Sequence, residues 1–416
     1  MSLDLIQTVA LAGVVLFAGY FIRRVITPLA TYNIPAPVVG GLLVAILLTI
    51  NRTYYGYPLA LDTTLQSPMM IAFFTTIGFG ASVALLRVGG KAVLIFFLFS
   101  SAMALLQNVI GVAVAMGLGQ PALMGVLAGS VTLTGGPATG LAFAPAFEQA
   151  GVPAAATIAV VAAMFGIVAG GLIGGPIGTF LVRRSADARV NPTPLEQPVA
   201  QHVVEAGLPP STSMKVPEGE DVETYDLLKS VVVILVAMWM GAWLSRWLVD
   251  TAAGMGFRLI LPAYIGAMLV AALIRNVDDM TGIFGLSQRT LDDLGNVALA
   301  LFIVMALMTL RLWELVGLAT PLLVMLIVQV VAVAMMAMFL VWRLMGKNYE
   351  SAVMSSGFIG FMLGTTANAM ANMTSLVERY GPAPKAFLVV PMVGAFFIDF
   401  TNAAIITLFL NFFTGR

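Results

Sequence analysis

The 416-residue chain is 60% hydrophobic, only 10% charged and formally neutral, with a mean hydropathy of +1.00. Most of such a chain cannot lie against water, which excludes an ordinary soluble enzyme and points to an all-α polytopic membrane protein. It has no cysteine, and its one histidine, His202, lies in a polar stretch, so disulfides and thiolate chemistry are excluded and histidine-based catalysis or metal binding is disfavoured.

The first apolar run follows Asp4 and ends at Arg23 and Arg24, the pattern of a first span rather than of a cleaved leader. Apolar runs between turn signals then predict spans near 5–22, 36–50, 68–86, 92–118 and 155–182, with a shorter, broken segment at 121–149. A second set is predicted near 226–249, 260–274, 294–310, 315–342 and 386–413, with a broken segment at 350–379. The organisation is thus a first transmembrane repeat over 1–184, a connector over 185–224 and a second repeat over 225–416. Six prolines and several acids, among them Pro192, Pro209, Pro210, Glu196, Glu205 and Asp221, mark the connector as flexible and water-facing.

The two sets share their order of long and short pieces, and local matches hold one register. Ile34-Pro35-Ala36 recurs as Leu261-Pro262-Ala263 and Phe147-Glu148-Gln149-Ala150-Gly151 as Val377-Glu378-Arg379-Tyr380-Gly381, with separations of 227 for Pro35 to Pro262 and 230 for Glu148 to Glu378. Five spans per half make the second half start on the opposite side of the membrane, so the repeat is inverted. Placing both termini outside leaves only Arg52, Arg246, Arg258, Arg311 and Arg416 on the outer side, out of 20 Lys and Arg residues. That bias puts the 185–224 connector in the cytoplasm.

Ser130-Val131-Thr132-Leu133-Thr134-Gly135-Gly136-Pro137-Ala138-Thr139-Gly140 breaks the first of the short segments. The helix before it would be about 18 Å long, against a hydrocarbon thickness of ~30 Å, so the chain is expected to turn back as a re-entrant hairpin. Gly364-Thr365-Thr366-Ala367-Asn368 forms the tip of a second hairpin, entering from the other side. Irregular backbone at such depth must be buried in protein or line a polar cavity. Hydroxyls and carbonyls at the tips suit Na⁺, and amides opening the second half-helices suit a carboxylate. Thr134, Gly135, Gly136, Thr139, Thr365, Thr366, Asn368 and Asn372 are therefore candidate substrate-binding residues. Close helix packing is the competing explanation for the same small residues.

Asp399 is an ionisable side chain deep in the last predicted span, where insertion costs about 2.5–3.5 kcal/mol unless a partner offsets it. It is a candidate Na⁺ ligand or a counter-charge to a substrate ammonium, with Asn402, Thr132 and Asn108 as further candidate Na⁺ ligands. Gln107 and Gln329 are expected to hydrogen-bond between helices.

Several long runs bring the chain close to a known family. Ile34-Pro35-Ala36-Pro37-Val38-Val39-Gly40-Gly41-Leu42-Leu43, Arg343-Leu344-Met345-Gly346-Lys347-Asn348-Tyr349 and Ala386 through Asp399 resemble the bacterial glutamate:sodium symporters, over essentially the full length. The resemblance implies a ten-span inner-membrane carrier, two inverted halves with opposed hairpins, and a homodimer. It further implies Na⁺ as coupling ion and glutamate or a related small carboxylate as substrate, with no organic cofactor, catalytic residue or nucleic-acid partner. Thr134, Gly135, Gly136, Thr139 and Gly140 match the family's first tip, while Pro137 and Ala138 stand where it has His and Gly. The alternatives are a proton-coupled or exchange carrier for another organic anion on the same scaffold and, from another class, an ion channel. An intramembrane aspartyl protease would need a second deep acid beside Asp399, and none is found.

Overall fold

Long apolar runs without internal breakers should become helices, since the backbone then satisfies itself without water. A computed structural model describes residues 2–32, 34–55, 60–185, 222–255, 259–312 and 317–414. It is almost wholly helical, and six described helices are long and apolar enough to cross a membrane: Leu5–Val25, Gly90–Gly117, Ala155–Arg184, Thr224–Gly254, Gln288–Met308 and Ala319–Leu344. The remaining predicted spans correspond to shorter or interrupted helices.

In chain order, α1 (Leu5–Val25) opens with a capping box between Asp4 and Gln7, which satisfies amides that the helix itself cannot. It is followed by α2 (Thr27–Thr31), α3 (Ala36–Tyr55), α4 (Gln66–Gly80) and α5 (Val83–Gly117), the last broken at Gly90, where φ is 62°. Then come α6 (Ala122–Val126) with a π turn at Leu127–Val131, α7 (Gly136–Gln149) and α8 (Ala155–Arg184). The second half holds α9 (Val222–Gly254), α10 (Ala263–Thr281), α11 (Gln288–Met308) and α12 (Ala319–Met336), the last extended through a π turn to Leu344. It ends with α13 (Tyr349–Met362), α14 (Thr366–Tyr380), α15 (Pro384–Met392), a π turn at Val393–Phe397 and α16 (Ile398–Thr414). A two-residue parallel pair, β1 (Ser2–Leu3) with β2 (Ala60–Leu61), ties the start of the chain to the loop after α3.

Two differences from the sequence reading follow from local chemistry. The span expected at 386–413 is divided, with Pro391 just before the π turn where regular hydrogen bonding fails. Helix α9 already begins at Val222, inside the stretch read as connector, and the rest of that connector lies outside the described residues.

The helices sort into two groups that pack mostly among themselves. The first three long helices of each half, α1, α3 and α4 with α9, α10 and α11, form one group. The later elements, α5 to α8 and α12 to α16, form the other. Glycines set the closest approaches within the first group: a Cβ at Gly19 would overlap the Ala36 carbonyl, and one at Gly241 would overlap the start of α10. In the second group, Gly166, Gly174 and Gly178 of α8 have no room for a side chain, because Leu363, Asn372 and Ser356 of the α13–α14 unit fill that space.

Candidate functional site

The two turns predicted as hairpin tips meet each other. In the first, the backbone leaves helical geometry at Gly129 (φ −101°, ψ −129°), and α7 restarts at Gly136 with φ of 66°. Glycine is required at 136 by that dihedral and at 135 by space, since a Cβ there would run into Thr139. Pro137 sits in the first turn of α7, where a missing amide proton costs the helix nothing. In the second, α13 ends at Met362 and Thr365 caps α14, its hydroxyl accepting from the Asn368 amide at 3.4 Å. A Cβ on Gly136 would stand 3.5 Å from the Gly364 carbonyl oxygen, so the tips face each other directly.

Gln107 binds both tips together. Its amide nitrogen donates to the Met362 carbonyl at 2.9 Å, and its oxygen accepts from the Thr134 hydroxyl at 2.6 Å. Gln329 in turn donates to the Gln107 carbonyl at 2.6 Å. Both glutamines are fully buried, so the interhelical role expected of them is what the structure shows. The second tip is also tied to the break in the last helix, by the Thr366 hydroxyl donating to the Gly394 carbonyl at 2.9 Å.

In front of the tips lies a cavity of about 500 Å³ between the two helix groups. One wall is formed by Thr134, Gly135, Gly136, Pro137 and Ala138, by Phe361, Gly364, Thr365 and Thr366, and by Gly394 and Asp399. The opposite wall is formed by Tyr20 and Arg23 of α1, Pro35 to Pro37, Phe73, and Asn296, Leu299, Ala300 and Ile303 of α11. The amide-bearing starts of α7 and α14 both open into this space, and helix starts favour anions.

The structure divides the candidate residues of the sequence. Thr134, Gly135, Gly136, Thr365, Thr366 and Asp399 line the cavity. Thr139 is buried behind the first tip, against Gly135. Asn368 and Asn372 turn away to α8, donating to the Ile167 carbonyl at 2.7 Å and the Gly170 carbonyl at 3.1 Å. Their spacing placed them on the tip side of α14, but the α8 glycines let the two helices approach so closely that the Ile167 and Gly170 carbonyls take their amides instead.

Asn402, Asn108 and Thr132 gather one layer deeper, around the π turn before the first tip. Asn402 donates to the Ser130 carbonyl at 2.9 Å, the Ser130 amide donates to the Asn108 side-chain oxygen at 2.9 Å, and the Thr132 hydroxyl donates to the Leu127 carbonyl at 2.8 Å. The Ser130 hydroxyl and the Asn402 side-chain oxygen are buried without a hydrogen-bond partner among the described residues. Among those residues no group of three or more acids or histidines is placed to hold a metal ion, and in this layer the oxygens are neutral ones.

Sequence reasoning missed Arg23, Tyr20 and Asn296, the polar side chains of the far wall. Arg23 was absorbed into the positive-inside count, and Asn296 carried no signal beyond being one asparagine in an apolar helix.

Residues 1–382 match the family described as Sodium/glutamate symporter. The chain belongs to that family. It is 41% identical to a sodium/glutamate symporter of Escherichia coli (strain K12) over 409 residues, covering 98% of each chain. It is 42% identical to one of Haemophilus influenzae over 401 residues, covering 96% of this chain and 95% of the relative. Among solved structures, a sodium proton antiporter from Methanocaldococcus jannaschii aligns over 99% of both chains at 14% identity with a TM-score of 0.40, too low to carry weight.

Proposed function

We propose that the protein is a Na⁺-coupled symporter that takes glutamate into the cell by alternating access, with the cavity between the two helix groups as its substrate site. The observation that carries this reading is the composition of that cavity: two helix starts, tip hydroxyls and one carboxylate on one wall, and a separately packed wall opposite. Helix starts accept a substrate carboxylate and Asp399 accepts its ammonium. Membership of the sodium/glutamate symporter family supports the choice of substrate and ion.

Na⁺ is assigned to the layer behind the first tip, with the Ser130 hydroxyl and the Asn402 side-chain oxygen as ligands. Each is a buried oxygen without a partner among the described residues, which costs about 1–3 kcal/mol, and hard oxygen donors suit Na⁺. Asn108 has its oxygen engaged by the Ser130 amide and so orients the site, while Thr132 can add a lone pair.

The α6–α7 and α13–α14 units are read as re-entrant hairpins of an inverted repeat of about ten spans. Their short helices, their meeting tips and the equivalent glycine approaches at Gly40 and Gly266 support this. With both termini outside and the connector in the cytoplasm, the end of α1 bearing Arg23 is cytoplasmic, so the cavity faces inward. The Phe74–Tyr264–Phe143 ring cluster, bridging the two groups, then closes the outer side. The family resemblance adds an inner-membrane location and a homodimer.

Purified protein in proteoliposomes should accumulate labelled glutamate when a Na⁺ gradient is the sole driving force. Uptake of equal rate in choline medium at fixed pH would overturn the coupling and favour a proton-linked or exchange carrier.

A further inference from the structure

Among the described residues, the cavity is lined by one basic side chain, Arg23, and one acidic one, Asp399, on opposite walls. Arg23 has no ion-pair or hydrogen-bond partner among the described residues, although Asp399 lines the same space. Arg23 is half-buried at the cytoplasmic end of α1, so its guanidinium is placed to meet an anion that enters the cavity. Its place is fixed by packing: Gly19, one turn earlier on α1, lies against Ala36 and Gly40 of α3 so closely that no side chain fits. That contact brings the Arg23 turn beside Pro35 to Pro37, at the edge of the cavity.

We propose that Arg23 is the specificity-determining residue for a second substrate carboxylate, so that a dicarboxylic amino acid is held between the two walls. The inference rests on the symport reading above. The substrate ammonium is matched by Asp399 and one carboxylate by the starts of α7 and α14. The other carboxylate then meets a planar cation that offers paired N–H donors. A neutral isostere such as glutamine meets the same ammonium and carboxylate partners but leaves Arg23 without its charge.

Arg23 also makes the two faces of the carrier unequal. The Gly19 position, against the Ala36 carbonyl and Gly40 amide of α3, corresponds to Ser245 on α9 against α10, and one turn beyond Ser245, where Arg23 would fall, stands Val249 rather than a cation. Ser245 is buried, donating to the Pro262 carbonyl and accepting from the Gly266 amide. When the hairpin group faces the other side of the membrane, its partner wall presents no equivalent charge. Arg23 therefore selects for the dicarboxylate at the face reached in this structure.

The test measures apparent affinity for glutamate and for glutamine at each face, in right-side-out and inside-out vesicles, for the natural protein, Arg23→Gln, Arg23→Lys and the control Arg24→Gln. Arg24 is exposed and does not line the cavity. Arg23→Gln is expected to lower the glutamate-over-glutamine preference about tenfold to hundredfold at one face only, the loss of one charge-assisted pair. Arg23→Lys is expected to lower it less, and Arg24→Gln to leave it unchanged. A preference unchanged at both faces overturns the proposal, and one that falls equally at both faces overturns the one-sided role. If Arg23→Gln fails to insert, Arg23→Lys decides by the same ratio. Absence of Na⁺-dependent glutamate uptake by the natural protein would instead strike the symport reading, leaving the Arg23 contact to be judged by binding of each ligand to detergent-purified protein.

Discussion

The two walls of the cavity are built on different terms. The tip wall is cross-linked throughout: Gln107 joins Thr134 to Met362, Thr366 holds Gly394, and α14 is fastened to α8 through Asn368 and Asn372. The α1–α11 wall is largely apolar and presents to the cavity the side chains of Tyr20, Arg23 and Asn296. The contrast fits a division of labour in which one body carries the binding geometry intact while the other presents separate contacts that change as the bodies move. The bonds between the tips hold one arrangement of that wall, and the Ser130 hydroxyl and Asn402 side-chain oxygen behind it are among the exceptions left without a partner among the described residues.

Substitutions at increasing distance from the polar network should sharpen that contrast. Gln107→Ala is expected to have the largest effect. It leaves the Met362 carbonyl without its partner, takes the acceptor from Thr134, and should lower stability by about 2–4 kcal/mol, read as a fall in Tm in detergent. Asp399→Asn keeps the shape of the wall but removes its charge, and should reduce glutamate affinity by about tenfold to hundredfold with protein yield retained. Ser130→Ala and Asn402→Ala should each raise the Na⁺ concentration for half-maximal uptake, by about tenfold, with a smaller change for glutamate at saturating Na⁺. Asn372→Ala should be mildest, costing about 1 kcal/mol of stability through its bond to Gly170 and leaving the substrate profile unaltered. A shift in glutamate selectivity from Asn372→Ala would blur the distinction between packing and binding asparagines.

Much of the tip wall was legible before any coordinates. Glycines and threonines at 134–136 and 364–366 stand out because they interrupt segments too short to span, at matching places of the two halves, and Gln107 and Gln329 stand out as long amides where lipid would not tolerate them. Direction was not legible. Asn368 and Asn372 share the tip's helix, but which neighbour receives their amides depends on the α8 glycines, whose partner is distant in sequence. Arg23 was hidden for a different reason. A basic residue at the end of a span is already accounted for by membrane orientation, so the sequence offers nothing to separate an anchor from a binding group. The π turn at Val393–Phe397 was likewise invisible, since its residues are as apolar as those of an unbroken helix.

The absence of cysteine from the chain allows the central claim, that substrate sits between the two walls, to be tested with single introduced thiols. Ala138→Cys reports from the tip wall and Leu299→Cys from the wall opposite. Alkylation of both in membrane vesicles should slow when Na⁺ and glutamate are present together, and should not slow with glutamate in choline medium. Unchanged alkylation at both positions under Na⁺ and saturating glutamate would place the substrate elsewhere and contradict the two-walled site.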